Sequence, residues 1–144
     1  MYAEKKAKVH SIPVTINTIV EKLHNDEIQW PLEVKPYNII SNMNFVENIL
    51  LNIVQNDILF EIKDDKKIVV RSGFTTLRNI DYYINKSYKF YLRFKNNEYT
   101  NFESLEDGYK DYILRTTIRC TFIRYAEDRD ILNNLVCRFN GDTV

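Results

Sequence analysis

Apolar positions along the chain recur with two periods, and each period predicts elements. Val9 to Pro13 reads as a short extended segment closed by its proline. Ile16, Ile19, Val20 and Leu23 then fall at i, i+3, i+4 and i+7, one face of a helix predicted over Val14–His24 and ended by Asn25-Asp26. Glu27 to Ser41 holds Pro31, Pro36 and the single Trp, and reads as a structured loop. A second helix carries the stripe Val46, Ile49, Leu50, Ile53 and Val54, with Asn44 and Glu47 spaced as a capping box. Ile58–Ile62 and Ile68–Arg71 read as the strands of a hairpin across Asp64-Asp65-Lys66-Lys67, and Gly73 ends the second strand.

Leu77, Ile80 and Ile84 mark a third helix. Tyr88, Phe90, Leu92 and Phe94 alternate with polar or basic positions and Tyr91, which predicts a half-buried strand. Asn96 to Gly108 reads mostly as loop. Within Tyr112–Arg124, Ile118, Cys120 and Phe122 alternate with Arg119, Thr121 and Ile123, a further strand. Asp128 can cap a last helix with the stripe Ile131, Leu132, Leu135, Val136 and Phe139, stopped by Gly141. The order β-α-α-β-β-α-β-β-α predicts an α+β domain of mixed short strands with about four helices. Residues 1–8 form a polar N-terminal arm and 9–144 a single domain in this reading.

Composition narrows the classes. At 144 residues the length suits one domain, and 44% hydrophobic with 13% aromatic residues is enough to build a core, which argues against disorder. Twenty basic and twenty acidic residues cancel, so the chain is not a generally basic nucleic-acid coat. Asn, Ile, Lys and Tyr supply 55 of the 144 residues while Gly, Pro and Ala number three each. That bias fits an A/T-rich genome, such as that of a large DNA virus, a protist or a low-GC bacterium. No apolar run is long enough to span a bilayer, and no signal-peptide pattern opens the chain. Cys120 and Cys137 lack zinc or redox spacing and read as buried packing residues in a reducing compartment, the cytoplasm, the nucleus or a virion.

Candidate chemistry is sparse. His10 and His24 have no ligand partner at metal spacing, so neither metal nor cofactor is expected. Three glycines cannot build a phosphate loop. Asp64-Asp65 reads as a solvated hairpin tip. Arg115, Arg119, Arg124 and Arg138 cluster in the last third, with Arg115 and Arg119 sharing strand parity, a candidate phosphate or nucleic-acid contact. The tyrosines Tyr82, Tyr83 and Tyr91 suit either a core or a protein interface.

Four segments in this order resemble the ParB-like N-terminal domain of the GmrSD-type modification-dependent restriction enzymes. The family segment I-P-x-[FY]-Q-R-x-Y-x-W resembles Pro31 to Ile39, with Pro31, the basic Lys35 and Tyr37 in place. Phe45 to Leu50 is similar in character to the family helix L-I-D-S-I-L. The signature D-G-Q-Q-R-L-T-T-[IL] resembles Ser72 to Ile80, keeping Gly73, Leu77 and Ile80 but placing Ser72 at the aspartate and Thr76 at the arginine. The closing F-x-x-x-N resembles Val136 to Asn140, keeping Asn140.

The resemblance implies a ParB-like fold over roughly residues 9–141. In the family the polar signature serves nucleotide binding and hydrolysis linked to DNA cleavage. A carboxylate holds a cation and an arginine clamps phosphate, and Ser72 and Thr76 can do neither. The resemblance therefore implies a catalytically silent scaffold that works by binding a protein partner or a second copy, without a cofactor or a membrane. Two alternatives remain open. One is a nucleic-acid module using Arg115–Arg138 with Lys5, Lys6 and Lys8. The other is a residual nucleotide hydrolase or nuclease using Asp64, Asp65, Lys35, Arg71 and Arg78.

Overall fold

The strand β1 and the first helix meet at one threonine. β1 (Lys8–Thr15) runs through Pro13, and α1 (Ile16–His24) starts when the Thr15 side chain accepts the Thr18 amide at 3.2 Å. The helix predicted from Val14 thus begins two residues later, because a capping hydroxyl outweighs the apolar pattern. α1 ends where Asp26 takes a left-handed conformation (φ 55°): the Asp26 amide donates to Leu23 and the Glu27 amide to Lys22. That pair of bonds is a Schellman closure.

A computed structural model describes residues 8–31, 44–96 and 98–124. After α1 come β2 (Ile28–Gln29), α2 (Phe45–Leu50), β3 (Ile58–Ile62), β4 (Ile68–Ser72) and α3 (Phe74–Asn79). α3 continues as a wider π-helical segment, Ile80–Asn85. Then follow β5 (Phe90–Leu92), a 3-10 turn over Arg93–Lys95, β6 (Glu98–Thr100), a second 3-10 turn over Phe102–Ser104, α4 (Asp107–Arg115) and β7 (Thr117–Arg124). The fold is α+β, with four α-helices and seven strands among the described residues. The last predicted helix, with its stripe Ile131 to Phe139, lies outside them.

Five strands form one mixed sheet in the order β1-β7-β3-β4-β2, and β5 with β6 form a separate two-stranded sheet. β1 is antiparallel to β7, β7 parallel to β3, β3 antiparallel to β4, and β4 parallel to β2. Helices α1 to α4 and the π segment share a core with the sheet face that carries Ile58, Phe60, Val70, Ile118 and Cys120. The opposite face is also buried at its centre, at Leu59, Val69, Thr121 and Ile123. Burial on both faces explains why β3 reads as a continuous apolar run, Ile58-Leu59-Phe60, with no alternation.

Several predicted boundaries move. α2 stops at Leu50 because Asn52 (φ 61°) closes it: its amide donates to Ile49 and the Ile53 amide to Asn48, a second Schellman closure. Ile53 and Val54 are therefore ejected from the predicted stripe into solvent. Asn44 makes no side-chain cap bond. Its supposed partner Glu47 is buried and accepts the Arg93 amide at 2.7 Å, tying α2 to the end of β5. The strand predicted over Tyr88–Phe94 shortens to Phe90–Leu92, both ends of which are buried, while Tyr88 and Phe94 are exposed. The predicted loop after Asn96 contains β6 and the start of α4, and Tyr112 to Arg115 is helix rather than strand.

Candidate functional site

Two regions compete for function: the junction where the family-like signature lies, and a groove along α4. At the junction β4 ends on Ser72, Gly73 turns the chain with φ 79°, and α3 begins at Phe74. Gly73 is required twice over. A Cβ there would meet the Asp57 carbonyl oxygen at 2.5 Å and the Ile58 Cα at 2.9 Å, and its backbone is left-handed. This strand–glycine–helix turn packs directly on the start of β3.

The side chains at the signature positions point into the fold. Ser72, Thr76 and Asn79 are all buried. No buried side-chain nitrogen or oxygen among the described residues lacks a hydrogen-bond partner. Neither Ser72 nor Thr76 carries a charge, so these positions offer no clamp for phosphate and no carboxylate for a cation. Pro31 is half-buried just after β2. Lys35, Tyr37, Arg138 and Asn140 lie outside the described residues, as does Cys137.

The remaining charged candidates are dispersed. Arg71 donates through two of its nitrogens to one carboxylate oxygen of Glu61, at 2.9 and 2.6 Å, across the β3–β4 pair. Arg78 lies 5.5 Å from the Trp30 ring, a cation–π arrangement. Asp65 accepts the Lys67 amide at the solvent-exposed hairpin tip. Arg115 is in the last turn of α4 and pairs with Asp111 at 3.2 Å, so it does not share strand parity with Arg119. Arg119 and Arg124 lie on β7, five residues apart and of opposite parity, hence on opposite faces of the sheet. Both are exposed. No group of three or more His, Cys, Asp or Glu side chains among the described residues is arranged to hold a metal.

The chain matches no family model, no curated protein and no solved structure. Its chemistry must therefore be read from its own residues.

The second region is a surface groove. One lobe, about 340 Å³, is lined by Leu50, Glu106, Gly108, Tyr109 and Tyr112. The other, about 540 Å³, shares Gly108 and Tyr112 and continues past Asn52, Asp111 and Thr116. Leu50 lines one lobe and Asn52 the other, and the residues between and after them in sequence are Leu51, Ile53 and Val54. That segment is apolar and exposed: Leu51 at 57%, Ile53 at 50% and Val54 at 92%. The groove's charges are already paired. Glu106 binds Lys95 at 2.6 Å, which raises the lysine's pKa, and Asp111 binds Arg115. Lys95 also lies 4.7 Å from the Tyr109 ring. Tyrosine walls, a small residue at Gly108 and neutralised charges suit an apolar protein surface better than an anion.

Sequence reasoning placed Ile53 and Val54 in the core, so it missed this ledge. The signal was present at Asn52, since asparagine is the commonest substitute for glycine in a helix-closing left-handed residue. The tyrosines divide. Tyr83 is fully buried, edge-on to Phe90 at 6.3 Å. Tyr82 is half-buried against Tyr88, and Tyr91 is half-buried against the exposed Tyr99. Cys120 is buried, and desolvation with the nearby Asp57 charge pushes its thiol up to about 12, which keeps it un-ionised and unsuited to nucleophilic work. Among the described residues no helix is long and apolar enough to cross a membrane.

Proposed function

We propose that the chain is a catalytically silent ParB-like domain that acts as a protein-binding scaffold. The observation that carries this reading is the exposed run Leu51, Ile53 and Val54, which in sequence adjoins Leu50 and Asn52 of the tyrosine-lined groove of α4. Contiguous exposed apolar side chains next to a groove with paired charges are what a protein partner buries. Two features of the junction support the loss of catalysis. The strand–Gly73–helix turn is kept, while the positions of the family's aspartate and arginine hold the buried, uncharged Ser72 and Thr76. Phosphoryl transfer depends on charge placed at the phosphates, and none is offered there. A reducing compartment, cytoplasm, nucleus or virion interior, suits the buried free thiol of Cys120.

The test is a titration of the purified chain with nucleoside triphosphates plus magnesium, and with duplex DNA, at two salt concentrations. We expect no saturable binding of nucleotide and no turnover. Saturable nucleotide binding restores the hydrolase reading. DNA affinity falling steeply with salt moves the function to nucleic acid instead.

A further inference from the structure

The long edge of the main sheet is open. β1 is its outermost strand on one side, eight residues long, and the opposite edge strand β2 has only two. Val9, His10, Ser11, Ile12 and Pro13 are all exposed, five consecutive strand residues with no further strand paired to their outer side among the described residues. The direction of the free backbone groups follows from the register. Val14 pairs with Ile118 and Thr15 with Thr117, and the Ile16 amide donates to the Thr116 carbonyl at 2.8 Å. In an antiparallel ladder alternate residues turn both amide and carbonyl to the same neighbour. Even-numbered residues of β1 therefore face β7, and Val9, Ser11 and Pro13 face outward. Pro13 fits this assignment, because the amide it lacks would have pointed to solvent.

The outer edge thus presents the amides of Val9 and Ser11 and the carbonyls of Val9, Ser11 and Pro13. It is flanked by apolar Val9 on one face and Ile12 on the other. Its charge is one-sided. Neither β1 nor β7 contains an acidic residue, and Arg119 and Arg124 are exposed on opposite faces with no ion pair among the described residues. A strand added to β1 would lie about 10 Å from β7, two strand spacings, within reach of an arginine meeting a glutamate from the far side.

We propose that β1 captures an extended acidic peptide segment of a partner protein by strand addition. This names a partner class for the binding domain proposed above and rests on that reading. Charge complementarity selects the occupant. A second copy would bring two cationic edges together with no acid on either, and a nucleic acid would leave the alternating amides and carbonyls without a matching ladder.

The experiment uses the full chain and a labelled eight-residue peptide repeating Glu-Glu-Val-Val, which as a strand puts glutamates on both faces, followed by fluorescence anisotropy and amide hydrogen exchange. The expected result is saturable binding, with new protection at the Val9 and Ser11 amides and none added at Ile12 and Val14. Backbone N-methylation of the peptide, which leaves the protein untouched, is expected to weaken binding at least ten-fold. Arg119→Glu with Arg124→Glu is expected to weaken it several-fold and to favour the Lys-for-Glu peptide. Binding unchanged by N-methylation, or without protection at Val9 and Ser11, overturns strand addition. Tighter binding of a single-stranded oligonucleotide, or a dimer whose edge amides are protected without peptide, overturns it in favour of those occupants. Loss of strand addition, or a dimer, leaves the scaffold reading standing, whereas oligonucleotide binding counts against both; the nucleotide and duplex DNA titration tests the scaffold reading separately.

Discussion

Glu47 shows how one side chain can serve a purpose its local spacing does not announce. Three residues after Asn44 it has the position of a capping-box partner. Instead its carboxylate is buried and accepts the Arg93 amide from the end of β5. A carboxylate acceptor on a part-buried backbone donor is stronger than a neutral one, and removing it strands the donor. Glu47→Ala is expected to destabilise the chain by about 2–3 kcal/mol, and Glu47→Gln, which keeps an acceptor oxygen, by about 1 kcal/mol. Urea unfolding checks this as a shift of midpoint at unchanged slope. Equal losses for the two variants would mean that the Arg93 bond carries none of the effect.

At the scale of elements, left-handed residues other than glycine make several of the closures. Five described non-glycine residues have positive φ: Asp26, Asn52, Lys66, Ser87 and Asn96. Asp26 and Asn52 end α1 and α2. Lys66 closes the β3–β4 hairpin, where its amide donates to Lys63 at 2.8 Å. A side chain in the left-handed region costs about 1–2 kcal/mol, least for Asn and Asp. Lys66→Gly is accordingly expected to raise stability by about 1 kcal/mol, and Asn52→Gly by a few tenths, partly offset by the freer unfolded chain. Thermal unfolding of the two variants ranks them, and a destabilised Lys66→Gly would contradict the left-handed turn. The order of effects follows from side-chain chemistry, since Lys has no short polar group to bond locally as Asn does.

For the whole molecule, burial of Cys120 makes stability depend on pH at the alkaline end. The thiol's ordinary value is 9.0, and burial with the Asp57 charge pushes it to about 12 in the folded chain. Between those values the unfolded state releases a proton that the folded state keeps. The stabilisation of the folded thiol form is therefore intact below pH 9 and is lost as pH rises, by up to about 1.4 kcal/mol per pH unit. Comparing wild type with Cys120→Ala between pH 8 and 10.5 isolates this contribution from the tyrosines and lysines. A parallel pH dependence in the two would show that the thiol is not buried. Thiol-reactive dyes are expected to label Cys120 only on unfolding.

The sequence by itself determined the α+β class, the hairpin of β3 and β4, the helix face Ile16, Ile19 and Leu23, and the turn at Gly73. Each rests on local periodicity or on one residue's conformational freedom, both of which are written in neighbouring positions. It also made plain that Ser72 and Thr76 carry no charge, because that is a matter of side-chain chemistry alone. Only the tertiary structure decided that Ile53 and Val54 face solvent, that Glu47 serves Arg93, that Arg115 sits on a helix away from Arg119, and that β1 is the open edge. Those outcomes depend on which distant segment lies alongside: β5 against α2, α4 before β7, and β7 rather than a hairpin neighbour against β1. Strand order and ejection of an apolar residue are set by packing between elements far apart in the chain, and no local pattern encodes them.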